Sequence, residues 1–205
     1  MMKKLAGIDY SLTSPAICVW KGTDDNRQFS FDMCDIYYLE TAQRLKRATP
    51  HEILNLHAGI YPEWETEEQR HDLLSDWAMN IIDGCEVFIE GYAFATSGKS
   101  YVRSVAENSG LLKHKMYKAN QSFTSIPPTV IKKYATDKGN ANKELMCDAF
   151  YEESDTPANL QKILRPKSSK LTNPTTDIID SYWICKYGWE KINNTTPRAI
   201  LQQGS

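Results

Sequence analysis

The sequence predicts an α/β fold, a mixed five-stranded sheet flanked by helices. Three observations carry this expectation. Short apolar segments near the N-terminus are separated by turn residues, strand-like and helical segments alternate from residue 66 onward, and a long amphipathic segment lies near the C-terminus.

The first segment, Leu5-Ala6-Gly7-Ile8-Asp9, is an apolar strand that ends on an acid. A small, hydroxyl-rich turn follows, then a second strand, Ala16-Ile17-Cys18-Val19-Trp20. Turn chemistry at Gly22-Thr23-Asp24-Asp25-Asn26 leads into a third, residues 29–38, so the three should form an antiparallel meander. Residues 40–65 are broken by Pro50 and Pro62, and a short helix around Ile53, Leu54 and Leu56 is the only element they suggest.

Thr66-Glu67-Glu68-Gln69 is a capping signal, and it opens a helix with Leu73, Leu74, Trp77, Ile81 and Ile82 that stops near Gly84. Residues 86–90 form a short apolar strand that again ends on an acid, Glu90. A helix feeding a buried strand implies a crossover and parallel pairing. After a loop over 91–99 comes a helix over about residues 101–118, with Val102, Val105, Leu111, Leu112 and Met116 as core candidates. Its small residues Ala106, Ser109 and Gly110 permit close approach by the sheet or a second subunit.

Phe123–Ile126 is the fifth strand, stopped by Pro127-Pro128. Short helices over 129–135 and 143–151 flank a loop at 136–140. Residues 154–175, rich in Pro, Ser, Lys and Thr, suggest a mobile basic surface loop. From Thr176 a long amphipathic helix runs to about Lys191.

With 41% hydrophobic and 24% charged residues the chain is globular, and no apolar run approaches a membrane span. Asp9 interrupts the first apolar stretch, which argues against a signal peptide. The five cysteines are scattered without a Cys-x-x-Cys pair, so they are expected to be buried thiols in a reducing compartment. Net charge is −2, but it is unevenly spread. Residues 1–94 carry 8 Lys and Arg against 16 Asp and Glu, whereas residues 95–170 carry 13 against 7. Such a bipolar chain can present a basic face suited to phosphates.

The acids are the chemical signal. Asp9 and Glu90 each end an apolar strand, and Asp177 and Asp180, three apart, share one face of the last helix. Singly each has an ordinary explanation as a strand-end or helix-capping residue. Together they supply hard oxygen ligands suited to Mg²⁺ or Mn²⁺, and two such ions can hydrolyse a phosphodiester. His51, His57, His71 and His114 are dispersed and give no zinc pattern.

Gly7-Ile8-Asp9-Tyr10-Ser11, Phe88-Ile89-Glu90 and Asp177-Ile178-Ile179-Asp180-Ser181 resemble, in order, the three acidic motifs of the RuvC-type Holliday junction resolvases, members of the ribonuclease H-like superfamily. Pro127-Pro128-Thr129-Val130-Ile131-Lys132 and Gly139-Asn140-Ala141-Asn142-Lys143 resemble that family's basic segment. The resemblance implies a ribonuclease H-like fold and a single nuclease domain, residues 1–205, with insertions at 40–65 and 154–175. It implies that Asp9, Glu90, Asp177 and Asp180 bind two Mg²⁺ ions, replaceable by Mn²⁺. Lys143 would assist catalysis and Lys132, or its neighbour Lys133, would contact DNA. Lys138, Lys99 and Arg103 extend the DNA-binding set.

The family's aromatic wedge has no counterpart at Ala93, but Tyr92 and Phe94 flank that position and either could stack on an unpaired base. These departures resemble the phage and viral branch. The implied activity is structure-selective cleavage of four-way junctions and other branched DNA by a homodimer in a bacterial or phage-infected cytoplasm. A nuclease acting on RNA–DNA hybrids or flaps, and a non-catalytic DNA-binding module, are the alternatives. Four clustered acids facing anionic DNA argue against the last.

Overall fold

In a computed structural model, residues 4–22, 28–45, 55–91, 99–154, 159–165 and 167–195 are described. Among these residues six strands make one sheet: β1 (Lys4–Asp9), β2 (Ala16–Trp20), β3 (Cys34–Glu40), β4 (Leu56–Ile60), β5 (Cys85–Glu90) and β6 (Phe123–Ile126), in the order β4-β3-β2-β1-β5-β6. The meander holds, since β1 pairs antiparallel with β2 and β2 with β3. β5 lies parallel to β1, and β6 parallel to β5, as the crossover through a helix requires.

The sheet has one strand more than the sequence suggested. β4 pairs parallel with β3 where a short helix was expected, and only Leu56 of its five residues is buried. An edge strand of this kind draws its order from its neighbour's hydrogen bonds and leaves little apolar periodicity to read. Residues 51–54, including Ile53 and Leu54, lie outside the described residues.

Alternation along each strand sends side chains to two cores. Ala6, Ile8, Ile17, Val19, Val87 and Ile89 face α2 (Glu67–Ile82) and α3 (Lys99–Lys118), where Leu74, Ala78, Ile82, Leu112 and Met116 are buried. The capping signal acts as expected, with the Thr66 hydroxyl accepting from Gln69 N at 3.2 Å.

Leu5, Ala16, Cys18, Trp20, Ile36, Tyr38 and Phe88 face the opposite layer. That layer contains α4 (Pro128–Thr136), α5 (Lys143–Glu153), α6 (Leu160–Leu164) and α7 (Thr175–Thr195). α7 lies against the sheet with Ile178, Ile179, Tyr182, Trp183, Ile184 and Cys185 all buried. A helix apolar on nearly every side is one packed between two layers.

Residues 154–175 are not simply a basic surface loop. α6 forms within them and buries Leu160, Ile163 and Leu164, while Arg165 reaches back to Glu40 at the end of β3. A short α1 (Ala42–Leu45) follows β3. All five cysteines are buried with free thiols.

Candidate active site

Strand parity sets the acids on one face. Asp9 is two and four residues beyond Gly7 and Leu5 in β1, and so shares their face, the α7 side. Glu90 follows Phe88 in β5 by two and lies on the same side. Because Ile8 is in register with Ile89, the two acids sit next to each other at the carboxyl ends of parallel strands.

Gly7 brings α7 down onto them. A Cβ at Gly7 would fall on Cys185 N and Ser181 O, so only hydrogen there lets the helix backbone lie directly over β1. Further along, a Cβ at Gly188 would meet the Phe88 ring of β5. With the helix seated at both points, its first turns carry Asp177 and Asp180 over Asp9 and Glu90.

Electrostatics show the convergence. Burial, then the negative charges of Asp177, Glu90 and Asp180, push the Asp9 carboxyl well above the usual range, against a lowering influence from Lys143. Burial raises Glu90 to about 7, with Lys132 opposing and Asp177 reinforcing. Asp180 rises to about 7 through burial and the charges of Glu90 and Asp177. Asp177 rises to about 6 through burial, moderated by hydrogen bonds from Ser14, Thr176 and Asp9 and by the charge of Lys143.

A polar network ties these acids to the basic segment. The Ser14 hydroxyl donates to Asp177 Oδ2 and accepts from Asn173 Nδ2 at 2.8 Å. Lys143 Nζ donates to Asn173 Oδ1 at 3.3 Å and to Thr176 Oγ1 at 3.2 Å, while Thr176 donates to Asn173 Oδ1 at 2.7 Å. The turn carrying Ser14 is itself held from the other layer, since Arg70 Nη2 donates to Leu12 O at 2.7 Å and Tyr61 also donates there. Ser14, Asn173 and Thr176 escaped the sequence reading; their only signal is their nearness to the acidic motifs.

The remaining candidates divide. Lys132 on α4 lies in electrostatic reach of Glu90 and Asp180, whereas Lys133 points outward and is exposed. Lys138 is exposed beyond the end of α4. Arg103 is exposed near the start of α3, the helix on the opposite face of the sheet from α7. Tyr92, Phe94 and the Lys99 side chain lie outside the described residues.

As the side chains stand, no three His, Cys, Asp or Glu among the described residues are drawn together tightly enough to hold one metal ion. The donor chemistry nevertheless fits a hard divalent cation. Four carboxylates meet, Asp177 buried and the other three half-buried, two lysines oppose their charge only in part, and neither thiol nor imidazole is among them.

A third strand end repeats the pattern. Glu40, 4% exposed, closes β3 on the same side of the sheet, but Arg165 pairs with it and Arg44 lies 3.6 Å from it. This acid therefore has its own cations.

Known structures share this fold over nearly the whole chain. Thermus thermophilus RuvC aligns with a TM-score of 0.50 at 14% identity, covering 94% of this chain and 97% of that one. T. thermophilus RuvC in complex with a Holliday junction substrate aligns at 0.56 and 14%, covering 93% and 97%. The yeast mitochondrial Holliday junction resolvase aligns at 0.51 and 15%, covering 90% and 76%. No family model and no curated protein sequence matches the chain. The fold is thus the ribonuclease H-like fold that the sequence resemblance implies.

Proposed function

We propose that this protein is a Mg²⁺- or Mn²⁺-dependent, structure-selective endonuclease that hydrolyses phosphodiesters in four-way junctions and other branched DNA. The observation that carries the proposal is the meeting of Asp9, Glu90, Asp177 and Asp180 at the carboxyl edge of the sheet, where the charges of Glu90, Asp177 and Asp180 all raise the proton affinity of Asp9. Four carboxylates in one place, Asp177 buried and the other three half-buried, are costly in a fold that needs them only for packing. The likeness in fold to Holliday junction resolvases supports the substrate.

Asp9, Glu90, Asp177 and Asp180 would hold two ions per site. When bound, such ions activate water and stabilise the departing oxygen. The chain's own residues do the rest. Ser14 orients Asp177 by donating to its Oδ2. Lys143, held by Asn173 and Thr176 at the rim of the acids, offers its ammonium to a non-bridging phosphate oxygen. Lys132 offsets charge at Glu90 and Asp180 and presents a second cation to the backbone.

The whole chain acts as one nuclease domain, and a homodimer would set two such sites on symmetric strands of a junction. The phage branch of the family accounts for the lengthened segments 40–65 and 154–175.

Cleavage of labelled four-way junction, flap and RNA–DNA hybrid substrates with and without Mg²⁺ tests the proposal. Junction nicking that needs the metal and vanishes in Asp9→Asn is expected. Preferred cleavage of the hybrid would instead favour a ribonuclease H activity, and undiminished nicking by Asp9→Asn would remove the site.

A further inference from the structure

We propose that a basic cleft beside the four acids is the channel for the nucleic-acid strand that continues away from the cleaved phosphodiester, with Arg44 and Lys167 gripping its phosphates. The inference rests on the nuclease reading above and assigns part of the substrate path to segments that the acidic motifs do not include.

The cleft has a volume of about 810 Å³ and is assembled from separate parts of the chain. The turn after β1 contributes Thr13 and Ser14, α1 contributes Arg44, the start of α5 contributes Lys143, and residues 164–173 supply the far wall. Among the described residues, four of its lining side chains are cationic (Arg44, Lys143, Arg165 and Lys167) and none is acidic. Arg165 is occupied by buried Glu40, which leaves Arg44, Lys143 and Lys167 to set the sign of the cleft. Arg44 does lie 3.6 Å from Glu40, but its side chain is 58% exposed.

Position decides what enters. Ser14 both lines the cleft and donates to Asp177, and Lys143 both lines it and lowers the proton affinity of Asp9. The cleft therefore opens directly from the acids, and a chain whose phosphate sat beside Asp177 would run on into it. Three cations from separate segments, Arg44, Lys143 and Lys167, suit the repeating charge of a polymer more than a single anion. Leu164 and Leu171 add apolar surface for a sugar or base between the charged groups.

The test compares the Asp9→Asn chain with the same chain carrying Arg44→Ala and Lys167→Ala. Both added changes are at exposed side chains, and Glu40 retains Arg165. Binding of a labelled four-way junction is measured across a salt series without divalent metal, with the melting temperature as a control on folding. Loss of two phosphate contacts should weaken binding about tenfold and flatten the log–log salt slope by roughly 1.4–1.8. Equal affinity and slope in the two proteins would overturn the channel while leaving the nuclease reading in place. Failure of the Asp9→Asn chain to bind any nucleic acid would overturn both. Displacement of the junction by a mononucleotide as readily as by a short oligonucleotide would also overturn the channel, by showing a pocket for one nucleotide.

Discussion

Ser14 donates its hydroxyl hydrogen to Asp177 Oδ2 across 163 residues of sequence. The two meet because Gly7 admits α7 onto β1, and because the turn after β1 is held by Arg70 and Tyr61 through Leu12 O. Asn173 then donates to Ser14 and accepts from Lys143, so an acid of the site and its nearest lysine are fixed by one set of bonds.

Ser14→Ala removes that donor from Asp177. A hydrogen bond to a charged group is worth about 1.5–3 kcal/mol, and loss of an outer partner of a metal-binding acid lowers metal affinity by about 10–100-fold. The Mg²⁺ concentration for half-maximal nicking should rise by roughly that factor, with the rate recovering at saturation. An unchanged Mg²⁺ titration would take Ser14 out of the site.

Gly7→Ala should cost more stability than most single changes, because the obstructing atoms are the α7 backbone and cannot swing aside. A loss of about 3 kcal/mol or more in denaturant unfolding is expected. Gly110→Ala is the matched control: a Cβ there meets nothing within 4 Å, and in the body of α3 it should stabilise by about 0.5–1 kcal/mol. Equal effects at the two positions would contradict the close approach of α7.

Much of this arrangement was legible in the sequence, for identifiable reasons. An apolar strand that ends on an acid is a weak signal alone, but two of them, at Asp9 and Glu90, followed by an Asp-x-x-Asp pair on a helix make an ordered set that marks all four acids. Glu40 carries the same pattern after Leu39, but Pro50, Pro62 and the ragged composition of 40–65 obscure the end of β3. Leu160, Ile163 and Leu164 have helical spacing, yet three apolar residues among Pro, Ser and Lys were too few to outweigh the surrounding loop chemistry. Ser14, Asn173 and Thr176 are small polar residues that act only through tertiary contact, and local pattern does not encode that.

Arg165→Ala should destabilise the protein by about 3–5 kcal/mol, since it strands Glu40, 4% exposed, without its principal cation. Adding Glu40→Gln should restore a large part of the loss. A double-mutant cycle in denaturant measures the coupling, and strictly additive losses would mean that the two side chains do not depend on each other.

Lys143→Ala should lower the single-turnover cleavage rate by about 10²-fold or more while changing junction affinity only a few-fold, because its ammonium is placed at the rim of the acids rather than along an extended contact surface. Lys143→Arg, whose planar fork cannot reproduce both bonds to Asn173 and Thr176, should recover little of the rate. An unaltered single-turnover rate in Lys143→Ala would refute the role.

The acids also make metal-free stability fall with rising pH. Glu90 and Asp180 sit at about 7 and Asp177 at about 6 in the folded chain, all above ordinary carboxylates, and burial is the leading cause in each. The folded state therefore keeps protons that the unfolded chain has released, so stability declines as pH climbs from about 4 toward 8. Ordinary surface carboxylates, whose pairing stabilises the fold in the opposite direction, have finished titrating by about pH 5. Between pH 5 and 8 the metal-free melting temperature should drop by several degrees, and Asp180→Asn should flatten that slope by removing one of the repelling charges. Added Mg²⁺ should raise the melting temperature more at pH 8 than at pH 5, where protons compete for the same oxygens. A metal-free melting temperature with the same pH slope in the wild-type chain and in Asp180→Asn would show that the acids are not coupled.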